Sequence, residues 1–221
     1  LLIGNSRWHW ACQSKKGWEF FDTEAPKINK TKLDINLKAW AAVGAIPNHL
    51  YLNPVLKINI EEVPLVNLPP WLGIDRALAG WGAFKKMKVI NNTPNGILIA
   101  DAGTIFSITR IKANGEFGGG KLLAGINLQL KAMAQGAKNL REPNKISLSK
   151  EFFPKNTQEA MVRGTIDALI GVLTEAQKQT NVPIWLCGGN ASIMYKELLN
   201  RNIEVIHYPN LILEGMIDLK N

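Results

Sequence analysis

Two segments of the chain repeat one local pattern, in which an apolar strand ends in a glycine turn and a second strand follows. The pattern occurs at residues 2–5 (LIGN) and again at residues 101–104 (DAGT). Alternating apolar residues after each segment predict a strand, a turn and a further strand, which together form a β-meander. The repeat predicts an internal duplication, so that the chain folds into two similar lobes.

The two glycine turns also predict a kind of ligand. Main-chain N–H groups in such turns bind phosphate oxygens, so two turns that face one cleft form a nucleotide clamp. A run of turn formers at residues 91–96 (NNTPNG) predicts the boundary between the lobes. The N-terminal lobe then covers residues 1–92 and the C-terminal lobe residues 93–221, with a last helix able to pack back on the N-terminal lobe.

The remaining elements follow from the spacing of apolar residues. Apolar residues at three- and four-residue steps predict helices, and short continuous apolar runs predict buried strands. The predicted helices cover residues 74–87, 125–140, 157–179, 191–199 and 211–219. Beyond the two meanders, the predicted strands cover residues 39–43, 49–52, 184–187 and 203–206. This mixture of strands and helices predicts an α/β protein.

Composition excludes several other classes of protein. The chain has 221 residues, of which 46% are hydrophobic, so it has enough apolar residues for real cores and too many for disorder. Cys12 and Cys187 form neither a disulfide framework nor a metal site, which fits a reducing cytoplasm. No apolar run approaches the ~18 residues of a membrane span, and residues 1–10 lack the apolar block of a signal peptide. We therefore expect a cytoplasmic protein with no membrane partner.

The net charge of +8 attracts polyanions but does not identify one. The basic residues come in small groups, without interleaved aromatic residues or an arginine-rich arm, which favours solvated surface. A small phosphate-bearing ligand and a nucleic acid are both compatible with the charge alone. The sequence motifs favour the small ligand, so we expect no nucleic-acid partner.

Two aspartates lie where a carboxylate can do chemistry. Asp101 ends an apolar strand, where a carboxylate is costly unless it meets a cation or hydrogen-bond donors, so it is a candidate metal ligand. Asp75 and Arg76 begin a predicted helix, where the carboxylate can take a proton from a hydroxyl while the guanidinium binds an anion. The structural alternatives are a turn cap for Asp101 and a helix N-cap for Asp75.

Glycines mark two further candidates and one motif that has a simpler explanation. Gly188 and Gly189 leave room for adenine or ribose against the backbone, although a tight turn explains them almost as well. Gly164-Thr165 interrupts a helix, which indicates close approach of a ligand or of a packed neighbour. Residues 115–121 (GEFGGGK) have the letters of a Walker loop, but Leu122 replaces the hydroxyl that binds magnesium and the segment lies in a hairpin.

Seven motifs, in sequence order, resemble those of the type III pantothenate kinases, a family within the actin, sugar-kinase and Hsp70-like superfamily. They are IGNSR (3–7), LGIDR (72–76), DAGT (101–104), GG followed by LLAGINL (119–128), RGT (163–165), CGGNA (187–191) and NLILEGM (210–216). The resemblance implies duplicated ribonuclease H-like, or actin-like ATPase, lobes with mixed sheets and a nucleotide cleft between them. It also implies ATP-dependent phosphorylation of pantothenate, the first step of coenzyme A synthesis.

The resemblance further implies roles for individual residues. Asp75 is expected to accept the proton of the substrate hydroxyl, and Asp101 to bind the monovalent cation, K⁺ or NH₄⁺, while Mg²⁺ accompanies ATP. Pantothenate is expected to contact Gly73, Ile74, Asp75, Arg76 and Thr165. ATP is expected to contact Leu2, Ile3, Gly4, Asn5, Ser6, Arg7, Trp8, His9, Thr104, Gly188 and Gly189. Family members are homodimers, so we expect a homodimer.

Two positions depart from the family pattern. The first motif of the family usually begins with an aspartate that helps to place magnesium and the phosphates, whereas this chain has Leu2. Residues 67–71 (NLPPW) lack the tyrosine that often precedes the LGIDR motif. The alternative functions are a noncatalytic nucleotide-binding regulator on the same fold and a sugar or acid kinase of the same superfamily.

Overall fold

The chain is described by a computed structural model, which covers residues 1–24, 36–48, 50–90 and 95–220. It divides into two compact units. The first unit comprises Leu1–Asn92, Asn114–Phe117 and Asn210–Asn221, and the second comprises Thr93–Ala113 and Gly118–Pro209.

Short strands and longer helices make up both units. In chain order, the strands are β1 (Leu2–Ile3), β2 (Trp8–Ser14), β3 (Gly17–Thr23), β4 (Ala41–Ala42), β5 (Ile97–Ala102), β6 (Ile105–Ile111), β7 (Phe117–Ala124), β8 (Ile184–Cys187) and β9 (Val205–His207). The α-helices are α1 (Ile74–Ile90), α2 (Ile126–Gly136), α3 (Thr157–Thr180), α4 (Ala191–Asn200) and α5 (Leu211–Lys220). Two 3₁₀ turns, Pro54–Leu56 and Ile60–Glu62, lie between β4 and α1.

The first unit is built on a four-stranded sheet in the order β3-β2-β1-β4. Strands β1 to β3 form an antiparallel meander, and β4 lies parallel to β1. Its core contains Leu1, Ile3, Trp8, Trp10, Trp40 and Leu52. Helix α5 packs closely on α1, because a side chain at Gly82 would lie 2.7 Å from the main-chain oxygen of Leu211. The last helix therefore belongs to the first unit.

The second unit is built on a five-stranded sheet in the order β7-β6-β5-β8-β9. Strand β6 is antiparallel to β5, whereas β8 is parallel to β5 and β9 is parallel to β8. The apolar residues of β5 are buried, as expected for a strand that is covered on both faces. Both sheets therefore place an antiparallel strand on one side of their first strand and a later parallel strand on the other. This shared order agrees with the predicted duplication.

The predicted α/β class with mixed sheets is confirmed. The strand predicted at 49–52 is wrong for residues 50–52, where the N–H of Leu50 instead donates to the Pro47 carbonyl in a turn; residue 49 lies outside the described residues. The helix predicted to reach Leu140 ends at Gly136, because Ala137 has an extended backbone. The predicted lobe boundary also falls largely on residues 91–94, outside the described residues.

None of the helices among the described residues combines the length and the apolar composition that a membrane span needs.

Candidate functional site

Asp75 lies in the first turn of α1. The N–H of Ala77 donates to the carbonyl of Gly73 over 3.2 Å, so the helical hydrogen bonds begin at Gly73 and Asp75 lies within the turn. The N-cap alternative for Asp75 is therefore wrong. The Asp75 carboxylate instead accepts a hydrogen bond of 2.8 Å from the N–H of Arg76, one of the N–H groups left without a helical partner at a helix start.

Burial changes the acidity of this pair of residues. It raises the pKa of Asp75, although the hydrogen bond from the Arg76 N–H and the charge of Arg76 oppose the increase. Burial also lowers the pKa of the Arg76 guanidinium, against the opposing effect of the Asp75 charge. Asp75 is therefore a stronger base than an exposed aspartate, which suits a group that must receive a proton.

A groove of about 350 Å³ opens beside Gly73, within the first unit. Its lining consists of Ala42, Val43, Lys57, Ile58, Asn59, Ile60, Leu72, Gly73 and Ile74. A side chain at residue 73 would place its Cβ only 2.6 Å from the Asp75 carboxylate oxygen, so the glycine lets that carboxylate lie close to the main chain of residue 73. Gly73 lines the groove, whereas Asp75 is not among its described lining residues. The volume lies within the range of small-molecule sites, and the accessible lining is mixed polar and apolar.

Aromatic rings flank Arg76. Its guanidinium carbon lies 6.0 Å from the centroid of the Phe117 ring, within the range of a cation–π contact. The Trp71 ring meets Phe117 edge-on at 6.4 Å and is 73% exposed. The predicted substrate motif therefore lies beside an exposed aromatic surface of the first unit.

The glycine hairpin at residues 2–9 divides into a buried and an accessible set. Leu2, Ile3 and Trp8 are buried in the first unit, whereas Gly4, Asn5, Ser6, Arg7 and His9 are exposed or half-buried. The N–H of Gly4 donates to the Arg7 carbonyl over 3.0 Å and closes the turn. Leu2 is 3% exposed, so the position where the family pattern has an aspartate carries a buried apolar side chain.

A second cavity, of about 440 Å³, is lined by Ser6, Arg7, Asp22, Thr23 and Glu24. His9 Nδ1 lies 2.7 Å from an Asp22 carboxylate oxygen, and Arg7 lies 3.9 Å from the same carboxylate. Sequence reasoning missed Asp22, since no motif includes it. The only available signal was its place on β3, the third strand of the predicted meander.

In the second unit, Asp101 is half-buried near the end of β5, where the register pairs it with Cys187 and Ser107. Gly188 has a φ of +93° and lies so close that a Cβ there would overlap the Asp101 carboxylate. Gly189 has open space around it. The structure thus brings Asp101 and Gly188 together, while Thr104 is exposed just beyond β5.

Thr165 lies on the buried face of α3 and is 3% exposed. Its hydroxyl is buried without a hydrogen-bond partner among the described residues. Two residues earlier, Arg163 forms ion pairs with Asp167 and Glu197, both at 2.9 Å, and Arg201 joins the same network. Sequence reasoning missed this network, although the i,i+4 spacing of Arg163 with Asp167, and of Glu197 with Arg201, is a signal for it.

Oxygen ligands for a cation are available at Asp101, but the described residues hold no cluster of three or more His, Cys, Asp or Glu side chains able to bind a metal. The carboxylate is a hard oxygen ligand of the kind that K⁺ and Mg²⁺ prefer. The backbone of Gly188 packs closely against this carboxylate, which only a residue without a side chain allows. The carboxylate chemistry of Asp101 is compatible with a cation, which would take most of its ligands from ATP and water.

Sequence comparisons identify the family. The profile of the type III pantothenate kinases matches residues 53–179. A type III pantothenate kinase of Synechococcus elongatus is 31% identical over 98% of this chain and 93% of its own length. One from a Nostoc species is 30% identical over 98% of this chain and 91% of its own length. The chain belongs to the type III pantothenate kinase family, as its motifs indicated.

Solved structures with the same fold have much lower identity. A Campylobacter jejuni protein described as a Baf family transcriptional activator matches with a TM-score of 0.63 and 21% identity, over 99% of this chain and 94% of its own. The activator of the 2-hydroxyisocaproyl-CoA dehydratase from Clostridium difficile, solved with bound ADPNP, matches with a TM-score of 0.51 and 12% identity, over 99% and 90% of the two chains. The predicted actin-like ATPase fold is confirmed.

Proposed function

We propose that this protein transfers the γ-phosphoryl group of ATP to the terminal hydroxyl of pantothenate, the first step of coenzyme A synthesis. The observation that carries the proposal is the Asp75 carboxylate, which burial makes more basic and which lies close to Gly73, a lining residue of the groove. Membership of the type III pantothenate kinase family supports the same substrate.

Asp75 is the proposed proton acceptor. As the hydroxyl oxygen of pantothenate forms its bond to the γ-phosphorus, the bond from that phosphorus to the leaving oxygen of ADP breaks and the hydroxyl proton moves to Asp75. Phosphoryl transfer needs little covalent chemistry from the protein, so positioning and one proton acceptor are sufficient. Gly73, Ile74 and Arg76 are proposed to hold pantothenate near Asp75, and Thr165 to make a further contact.

The proposed ATP contacts are the accessible hairpin residues Gly4, Asn5, Ser6, Arg7 and His9, together with Thr104, Gly188 and Gly189. Leu2, Ile3 and Trp8 contribute by supporting this hairpin from the core, since their side chains are buried. Asp101 is the proposed ligand of the monovalent cation. When bound, the metal ions neutralise charge on the phosphates.

The direct test is product formation by the purified protein. With ATP, Mg²⁺, K⁺ and pantothenate, we expect phosphopantothenate, identified by its mass, together with an equal amount of ADP. Reactions with Na⁺ in place of K⁺ test the monovalent cation, and a panel of sugars and small acids tests the alternative kinase. If no product forms with any cation while ATP still binds, the proposal is wrong. Light scattering of the same sample tests the proposed homodimer.

A second candidate is a noncatalytic nucleotide-binding regulator, and the buried Leu2 favours it. A leucine cannot place a metal, so one carboxylate of the usual family pattern is missing from the first unit. Calorimetry separates the two functions, because a regulator of this kind binds ATP without binding pantothenate. Binding of both ligands supports the kinase.

A further inference from the structure

We infer that Lys57 binds an anionic oxygen of a substrate in the groove beside Gly73, and so determines the orientation of that substrate. The inference rests on the proposed function, because it assumes that the groove holds one of the two reactants. Among the described residues that line the groove, Lys57 alone carries an ionisable side chain. An anion bound there therefore has one charged partner from the lining itself.

The backbone holds Lys57 firmly in place. Its main chain forms a parallel β-bridge with Trp40. The N–H of Trp40 donates to the Leu56 carbonyl over 2.9 Å, and the N–H of Ile58 donates to the Trp40 carbonyl over 2.8 Å. The N–H of Lys57 also donates to the Pro54 carbonyl over 3.1 Å. Trp40 and Ile58 are buried, so the residues on which this position depends belong to the packed part of the unit. The backbone of Lys57 is therefore fixed, whereas its long side chain is flexible.

The Lys57 ammonium group also lies over the Trp40 ring. Its nitrogen lies 5.7 Å from the centroid of the Trp40 ring, and the Trp40 indole N–H in turn donates to the Asn53 carbonyl over 2.8 Å. A cation that rests against an aromatic face loses less conformational entropy when it binds an anion than one in free solvent. Lys57 is exposed and Lys88 has a similar ring contact, so it is the place of Lys57 in the groove lining that indicates a binding role.

Both proposed reactants are anions, and either one can supply the oxygen. Pantothenate carries a carboxylate at the end remote from its reacting hydroxyl, and ATP carries the triphosphate. A charge-assisted hydrogen bond to either group is among the stronger polar contacts in proteins. The two sources differ in which reactant loses affinity when Lys57 is changed.

The test compares Lys57→Met with Lys88→Met in steady-state kinetics. Lys88 is a matched control, because its ammonium lies 4.5 Å from the Phe84 ring centroid in the same unit but it does not line the groove. Both variants lose one positive charge and one ring contact. We expect Lys57→Met to raise the KM of one reactant by about 10- to 100-fold with little change in kcat, as loss of uniform binding predicts. Lys57→Arg is expected to restore most of the loss.

Comparison of the KM values of pantothenate and ATP identifies which reactant supplies the anionic oxygen. If the carboxylate is the partner, the KM of pantothenate rises, and the alcohol analogue of pantothenate, which lacks the carboxylate, binds wild type and Lys57→Met equally. If the phosphates are the partner, the KM of ATP rises instead. The inference is wrong if Lys57→Met matches Lys88→Met in both KM values while thermal melts show both variants folded. An inert wild type would instead contradict the proposed function, and calorimetric titration of each reactant would then decide the role of Lys57 alone.

Discussion

The two units share a sheet order but differ in where they keep their charged groups. In the second unit, Arg163 and Glu197 form an ion pair with both side chains almost fully buried. In the first unit, the ion pairs of Lys85 with Asp218 and of Lys220 with Glu62 lie at the surface. Asp75 differs from these surface pairs, since it is half-buried near the groove and burial raises its pKa.

This difference indicates a division of labour after the duplication. The second unit has an apolar core that involves β5, β6, β8 and three helices, and its buried charges join α3 to α4. The first unit places the half-buried Asp75 close to Gly73, which lines a groove. We therefore expect loss of Asp75 to affect mainly activity, and loss of the buried ion pair in the second unit to affect mainly stability.

The largest expected effect is on activity. Asp75→Asn removes the proposed proton acceptor, so we expect kcat to fall by about 10²- to 10⁴-fold in an assay of phosphopantothenate formation. The control is Asp218→Asn, the same chemical change at a surface position of the same unit, which should leave kcat unchanged. Equal activity of the Asp75 variant and wild type would exclude Asp75 as the base.

The pH dependence sharpens the same prediction. The pKa of Asp75 lies above its ordinary value of 3.8, so activity should decline as the pH falls through the raised pKa and the base becomes protonated. The free energy of unfolding depends on pH in the opposite direction to activity. Protonated Asp75 stabilises the folded protein below its unfolded-state pKa, and this contribution is lost as the pH rises through its folded-state pKa. At neutral pH, Asp75→Asn should therefore unfold at a temperature equal to or higher than that of wild type.

The next largest effect is on stability in the second unit. Glu197→Ala leaves the buried guanidinium of Arg163 without one of its two carboxylates, and breaking such a pair costs about 3–5 kcal/mol. Glu175→Ala is the control, since Glu175 is exposed on α3, where its carboxylate accepts a hydrogen bond from Gln179 one turn later. Urea unfolding measures both variants, and similar midpoints for the two would contradict the proposed division of labour.

Adjacent glycines of the second unit provide a matched pair. Gly188→Ala puts a side chain at a positive φ and against the Asp101 carboxylate, so we expect the free energy of unfolding to fall by about 2–3 kcal/mol. An alanine side chain at residue 189 would lie in open space, so Gly189→Ala should lower the free energy of unfolding far less. If Asp101 binds the monovalent cation, only the Gly188 variant should also need more K⁺ for half-maximal activity.

The sequence predicted the order of elements well, because each element has its own local signal. Continuous apolar residues identified β5, three- and four-residue steps identified α1 and α3, and the repeated glycine turns identified both meanders. Local signals could not predict which accessible groups gather around a site. Lys57 belongs to no motif, and it reaches the groove only because its backbone pairs with Trp40, which lies 17 positions earlier in the chain (57 − 40).

The smallest expected effect concerns the surface charges of the first unit. Lys220→Met removes the 3.0 Å ion pair between α5 and the turn at Glu62, and an exposed pair of this kind contributes less than about 1 kcal/mol. Hydrogen bonding from the Asn59 N–H, and then from Lys220, lowers the pKa of Glu62, so its contribution is present above the unfolded pKa and lost as the pH falls through the folded one. Urea unfolding at pH 7 and at low pH should therefore show a small difference between Lys220→Met and wild type that shrinks in acid. A loss as large as that of Glu197→Ala would mean that the first unit also depends on its ion pairs, and the contrast between the units would fail.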